Sequence, residues 1–372
     1  MAKHFMALIT AISFNFFLQT CSKAEVSELP QEDQIFQSEI PTDFSKKNSE
    51  IYLTDAERDH FAKGLNLPTL GADDRHDLRR RLSFERSRAI ENKDFEQARE
   101  FHKYAYQITL SFIKDFPEVY HHKLSLSVNI AALGKLEKAA GNLDFARDHI
   151  NDSFRILDEN PPAADVKELW LRMVMSRHRD LGDIEKQLKN YDAARENYTQ
   201  YLNYVIKNPS HGDYDYDHAE AYYFLGELSF EQENWAEAAE HYTRSTRLLK
   251  KLIKTRLTNG NTRDELIIWQ RLANTYARYG YTAFVQQDNE TASLAFAEAI
   301  KARKAAINAE FATLSEELDL AISYYNAAKY ADGKDDEYYQ SALDIFRHLK
   351  TTNNVPAEYS KLIKEIELLI GQ

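Results

Sequence analysis

The stretch GDYDYDHAE, residues 212–220, alternates three carboxylates, Asp213, Asp215 and Asp217, in the manner of a calcium-binding loop. Such a loop needs glycine at its sixth position and glutamate at its twelfth, and here those places hold His218 and Phe224. The same residues read better as a helix start, with Asp217 as the cap and Glu220, three later, completing a capping box. His121 and His122 adjoin on a predicted helix, where neighbours do not share a face, so a shared metal is not expected. No histidine pair stands at zinc spacing with a suitable carboxylate, no glycine-rich loop is present to cradle a phosphate, and Cys21 has no second cysteine. The sequence therefore proposes no catalytic residue, no metal ligand and no cofactor, and the chain is expected not to be an enzyme.

Cys21 is placed where an apolar run ends. After Lys3 and His4, residues Phe5 to Leu18 are apolar apart from Thr10, Ser13 and Asn15. A run of about 14 is shorter than the ~20 residues a spanning helix needs, and with its positive start it reads as a signal peptide over residues 1–20. Leu18-Gln19-Thr20-Cys21 resembles a bacterial lipobox, although Gln19 and Thr20 depart from its usual small residues. The resemblance implies a lipidated Cys21 as first residue of the mature protein, and Ser22 after it implies the outer membrane. Cleavage after Ser22-Lys23-Ala24 is the competing expectation and would give a soluble periplasmic protein. Residues 21–73 are polar and proline-punctuated, and read as the lipidated cysteine followed by a flexible tether. A net charge of -12 and a pI near 5.5 argue against nucleic acid as a partner.

Beyond residue 74 the pattern is helical and repeats. KNYDAARENYTQYL, ENWAEAAEHYTRST and GNLDFARDHINDSF share a large residue, an alanine three later and a large residue four beyond. The alanines are Ala98, Ala146, Ala194, Ala238, Ala292 and Ala342. Twelve residues before four of them stand Gly134, Gly182, Gly226 and Gly280. A glycine inside a helix costs about 1 kcal/mol relative to alanine, so a close helix crossing is expected at each. Phe95, Leu143, Tyr191 and Trp235 precede the alanines, and Ile150, Tyr198, Tyr242, Phe296 and Phe346 follow them on the same helical face.

This register resembles the tetratricopeptide repeat, and Leu181-Gly182-Asp183 with Trp170 upstream is similar to a longer bacterial variety. The family's period is 34 residues; here it is near 48, which about two extra turns per helix would supply. Arg86 and Tyr330 replace the glycine in the first and last units. The expected fold is all-α, a right-handed superhelical stack of antiparallel helix pairs. It comprises about six TPR-like units over residues 74–352 and a C-terminal capping helix over 353–372, with Leu362, Ile363, Ile366, Leu369 and Ile370 on one face.

The resemblance implies that the first helix of each pair lines a concave groove, exposed at positions fifteen, eleven and eight before the marker alanine. These positions include Lys135, Lys138, Arg179 and Lys186, then Tyr223, Glu227 and Tyr281. They are the expected partner-binding residues, basic at one end and aromatic at the other, suited to a peptide with an acidic and an apolar part. Two basic stretches, RHDLRRRLSFERSR (residues 75–88) and RLLKKLIKTR (residues 247–256), read either as the wet sides of repeat helices or as contacts for anionic headgroups. The functional expectation is a scaffold for protein–protein interaction, anchored through Cys21 to the outer membrane and facing the periplasm. The alternative is a soluble periplasmic peptide-binding adaptor or chaperone-like receptor.

Overall fold

Helical periodicity over the repeat region is matched by thirteen α-helices among the described residues of a computed structural model. It describes residues 71–371, apart from 163, 209–213, 257–262, 309–312, 332–334 and 352–358. The apolar leader, Cys21 and the expected tether up to residue 70 lie outside these residues, as do Asp213 and Pro356; Ala72 and Asp73, at the tether's expected end, open the first helix. The chain divides into two units, one ending at Asn190 and the other beginning at Tyr191.

The first unit contains α1 (Ala72–Glu91), α2 (Phe95–Asp115), α3 (Tyr120–Ala139), α4 (Leu143–Glu159) and α5 (Lys167–Gln187). Leu78, Leu82 and Ala89 of α1 pack on Ala98, Ala105 and Ile108 of α2, and Leu136 of α3 joins the same core. Ala131, Ala146 and Ile150 meet Leu181 and Ile184 in the next layer. The second unit contains α6 (Tyr191–Lys207), α7 (Tyr214–Glu231), α8 (Trp235–Arg256), α9 (Arg263–Val285), α10 (Asn289–Ile307), α11 (Leu314–Tyr330), α12 (Asp335–Thr351) and α13 (Ser360–Ile370). Ala292, Phe296 and Ile300 of α10 pack against Leu320 and Ala327 of α11. All six marker alanines are fully buried.

The glycine register marks the helix crossings. A Cβ added at Gly226 would stand 2.7 Å from Tyr242 Cε1; one at Gly134 would stand 2.8 Å from Ile150, and one at Gly280 3.1 Å from Phe296. In each case the neighbour is the large residue four after the alanine, so the glycine opens the space which that side chain fills. In the last unit Tyr330 replaces the glycine and stacks over Phe296, with ring centroids 6.2 Å apart.

Five of the turns have one conformation. Lys93, Gly141, Lys189, Glu233 and Gln287 have φ between 58° and 84°. The next residue, Asp94, Asn142, Asn190, Asn234 or Asp288, donates its N–H to a carbonyl five residues back at 2.8–3.0 Å. The left-handed residue itself bonds three back, which completes a Schellman motif. Asp94 and Asp288 then cap the following helix by accepting from Gln97 and Thr291.

Two local expectations are corrected. Asp217 and Glu220 lie inside α7, which starts at Tyr214, and do not cap it. Both accept hydrogen bonds from the Tyr201 hydroxyl, at 2.7 and 3.2 Å, so they tie α6 to α7. On α13, Ile366 is fully buried, but Leu369 is 39 % exposed, so the apolar stripe is narrower than its periodicity suggests.

Candidate functional site

The first helices of successive pairs form one face in each unit, and the expected groove residues lie on it. In the first unit Lys135 of α3 reaches Asp180 of α5 at 3.4 Å, and Lys138 reaches Asp183 at the same distance. Arg179 stands 3.5 Å from Asp180. Lys135, Lys138, Arg179 and Lys186 are all half-buried. The charges of Lys135 and Lys138 are therefore shared with carboxylates of the neighbouring first helix, and that of Arg179 with the next residue on its own helix.

In the second unit the equivalent face is drier. Glu227 of α7 is buried, accepts the Tyr242 hydroxyl at 2.6 Å and pairs with Arg278 of α9 at 3.0 Å. Burial, and next the Glu227 charge, hold the Tyr242 hydroxyl far above its usual range. About two turns away, Glu220 pairs with Arg271 at 2.7 Å. The Arg271 guanidinium lies over the Tyr223 ring at 4.5 Å, and that of Arg278 over Phe230 at 4.8 Å. Tyr223 and Glu227 are thus packing and ion-pair residues of the interior, because the long Arg side chains of α9 fold over them. Tyr281 remains half-buried in an aromatic cluster with Phe230, Phe284 and Tyr330.

Of the two basic stretches, the one on α8 is the wet side of a repeat helix. Leu249 and Leu252 are buried, whereas Lys251 and Lys254 are exposed and Lys250 pairs with Glu298 at 3.0 Å. The other, on α1, borders a cleft of about 470 Å³ between α1 and α3. Its lining includes His76, Arg79, Arg80 and Arg86 from α1, with Ser125 and Asn129 from α3. Burial, followed by the Arg79 charge, keeps both His76 and His122 below the usual imidazole range. Sequence reading singled out these arginines but not the cleft, because its second wall comes from a helix about 45 residues later.

Among the described residues no three histidine, cysteine, aspartate or glutamate side chains gather as a metal site. No described helix is long and apolar enough to cross a membrane.

Stacked antiparallel helix pairs with a glycine-and-alanine crossing define the class: an all-α helical-repeat solenoid. Residues 219–255, most of α7 and α8, match the family model SHNi-TPR. No curated protein matches the chain. Among solved structures the chain is similar to BtubC (BKLC) from P. vanneervenii, with a TM-score of 0.50 and 14% identity, over 75% of this chain and 93% of that one. It is also similar to the S. pombe nuclear import adaptor Nro1, with a TM-score of 0.47 and 14% identity, over 79% of this chain and 98% of that one. A third similarity is to a STAND protein with a tetratricopeptide repeat sensor from Pyrococcus horikoshii, with a TM-score of 0.45 and 15% identity, over 82% of this chain and 43% of that one.

Proposed function

We propose that this chain is a non-enzymatic scaffold which holds a partner protein or peptide on the face of its first helices. The observation that carries the reading is the set of half-buried Lys135, Lys138, Arg179 and Lys186 on that face of the first unit. Cationic heads on apolar stems, spaced along consecutive helices, suit an acidic partner segment better than a small substrate. The partner is an envelope protein, and the scaffold is a bacterial lipoprotein held by its lipidated Cys21 on the periplasmic side of the outer membrane. The lipobox-like Leu18–Cys21 supports this anchoring, and the polar residues between Cys21 and α1 supply the reach.

Replacing Lys135, Lys138 and Arg179 together by alanine should abolish partner capture by chemical cross-linking in intact envelopes, with helix content unchanged. A folded triple variant that still captures its partner removes this face from consideration. Intact mass of the N-terminal fragment from detergent-extracted membranes tests the anchor. A fragment starting at Cys21 with acyl chains supports the lipoprotein; an unmodified one starting at Glu25 replaces it with the soluble periplasmic adaptor.

A further inference from the structure

Two second helices of the second unit, α8 and α10, carry a charge pattern that the repeat does not require. From Arg247 to Thr255, α8 holds four exposed cations, Arg247, Lys250, Lys251 and Lys254, and no carboxylate. Spacings of three and four set them on one face of the helix. Leu249 and Leu252, between them in sequence, are buried on the opposite face. From Leu294 to Ile307, α10 adds exposed Lys301 and Lys304. Arg303 in the same stretch is buried and paired with Asp319, and takes no part.

Glu298 stands 3.0 Å from Lys250 and 3.7 Å from Lys301, so α8 and α10 lie side by side and their outer faces form one surface. Six exposed cations there meet one carboxylate, in a chain of net charge -12. Among the described residues, Arg247, Lys251 and Lys254 have no ion-pair partner. Cations at a helix C-terminus do answer its dipole, but this is not a rule of the fold: the last turn of α4 has no basic residue and ends in Asp158 and Glu159. One apolar side chain shares the surface. Leu294 is 64 % exposed and lies two turns before Lys301 on the same face of α10.

Lysine is a hydrated point charge on a flexible stem, suited to many anionic groups at once more than to one fixed ligand. An exposed leucine among such cations suits shallow burial at a headgroup boundary. Phe296, the only aromatic residue in the two stretches, is buried, so they offer no platform for stacking nucleobases. We propose that the outer face of α8 and α10 docks on an anionic phospholipid surface. The six cations meet headgroup phosphates and Leu294 enters the headgroup layer. The inference stands on second-unit geometry alone and holds whether or not Cys21 is lipidated.

The test uses the full chain with Cys21→Ser, so that no acyl chain contributes and no native thiol remains. Flotation with phosphatidylglycerol vesicles, against phosphatidylcholine vesicles, reads the anionic share of binding; the apolar leader is common to all variants. Arg247→Gln/Lys251→Gln/Lys254→Gln should lower that share at least about tenfold. Lys103→Gln/Lys114→Gln/Arg155→Gln, which removes equal charge from exposed positions of the first unit, should float as the parent does. An environment-sensitive fluorophore on Leu294→Cys should shift to the blue with phosphatidylglycerol vesicles. The same label on Phe145→Cys, 65 % exposed on α4, should not. Equal flotation of the α8 variant and the parent overturns the proposal, as does a label on Leu294→Cys that does not shift. So does binding of poly-glutamate, lost in the α8 variant, with no preference for anionic vesicles; that result gives the surface to an acidic protein segment. Lys135→Ala/Lys138→Ala/Arg179→Ala should float as the parent does, so failure of this proposal and failure of the scaffold reading are distinguishable.

Discussion

The two units meet the same requirement, joining one first helix to the next, with different chemistry. In the first unit the links are Lys135 to Asp180 and Lys138 to Asp183, with lysine side chains 15 % and 20 % exposed. In the second they are Glu220 to Arg271 and Glu227 to Arg278, both arginines stacked on aromatic rings and nearly buried. A lysine is a hydrated point charge that can leave its partner cheaply, whereas a guanidinium clamped between a carboxylate and a ring is fixed. The lesson is that one repeat register can present a responsive face or a rigid one, and the choice of cation decides which. The first unit's face is suited to exchanging an internal carboxylate for a partner's; the second unit's face is part of its interior.

Breaking the rigid face should have the largest effect. Arg278→Met strands Glu227 beside the Tyr242 hydroxyl and should destabilise the second unit by about 3–5 kcal/mol in chemical denaturation. A loss below about 1 kcal/mol would mean that water reaches Glu227, and the contrast with the first unit would fail. Next comes the crossing itself. Gly226→Leu forces a branched side chain against Tyr242 and should remove about 3 kcal/mol, with Gly280→Ala milder because its neighbour stands farther off. Equal thermal stability of Gly226→Leu and parent would show that the helices can separate without loss.

Acid should act on the first unit through His102. Its folded value, about 3, lies below the ordinary 6.5, so between those values the unfolded chain binds a proton that the folded one does not. Stability is therefore fully present above pH 6.5 and falls as pH drops toward 3, by an amount on the order of 2 kcal/mol or more. His102→Gln should flatten the part of the pH dependence that its parent shows in this window; an unchanged slope would assign it to other groups. The smallest effect belongs to Lys138→Met, expected at about 1–2 kcal/mol, because the lysine is the more exposed of the two cations while Asp183 is left largely buried. A loss as large as that of Arg278→Met would erase the distinction between the faces.

Much of the fold could be read from spacing. Glycine, alanine and aromatic recur within helices, and each crossing uses residues of a single repeat, so local periodicity carries the information. The left-handed turns were less visible. Only Gly141 announces its conformation; Lys93, Lys189, Glu233 and Gln287 adopt it because the Schellman hydrogen bonds outweigh a penalty of roughly 1 kcal/mol. The Asp or Asn four residues before the first five marker alanines was the available signal. Site residues were hardest, because their partners lie one repeat away. Nothing local tells that Lys138 will find Asp183, or that Glu227 will be covered by Arg278 and Tyr242. The cleft has the same origin, with one wall from Arg79 and the other from Asn129.

The uniform turns also set where this chain can grow. In the five left-handed turns, an extra residue would displace the left-handed position and sever both closing hydrogen bonds, which fixes the punctuation there. Connections after second helices obey no such rule: residues 116–119 bridge α2 to α3, while residues 160–166 bridge α4 to α5 and include a short 3-10 helix, Ala164–Val166. Insertions, reporter tags and the drift in repeat length from 44 to 54 residues belong in those joints and in helix length, and the five left-handed turns serve as fixed rivets.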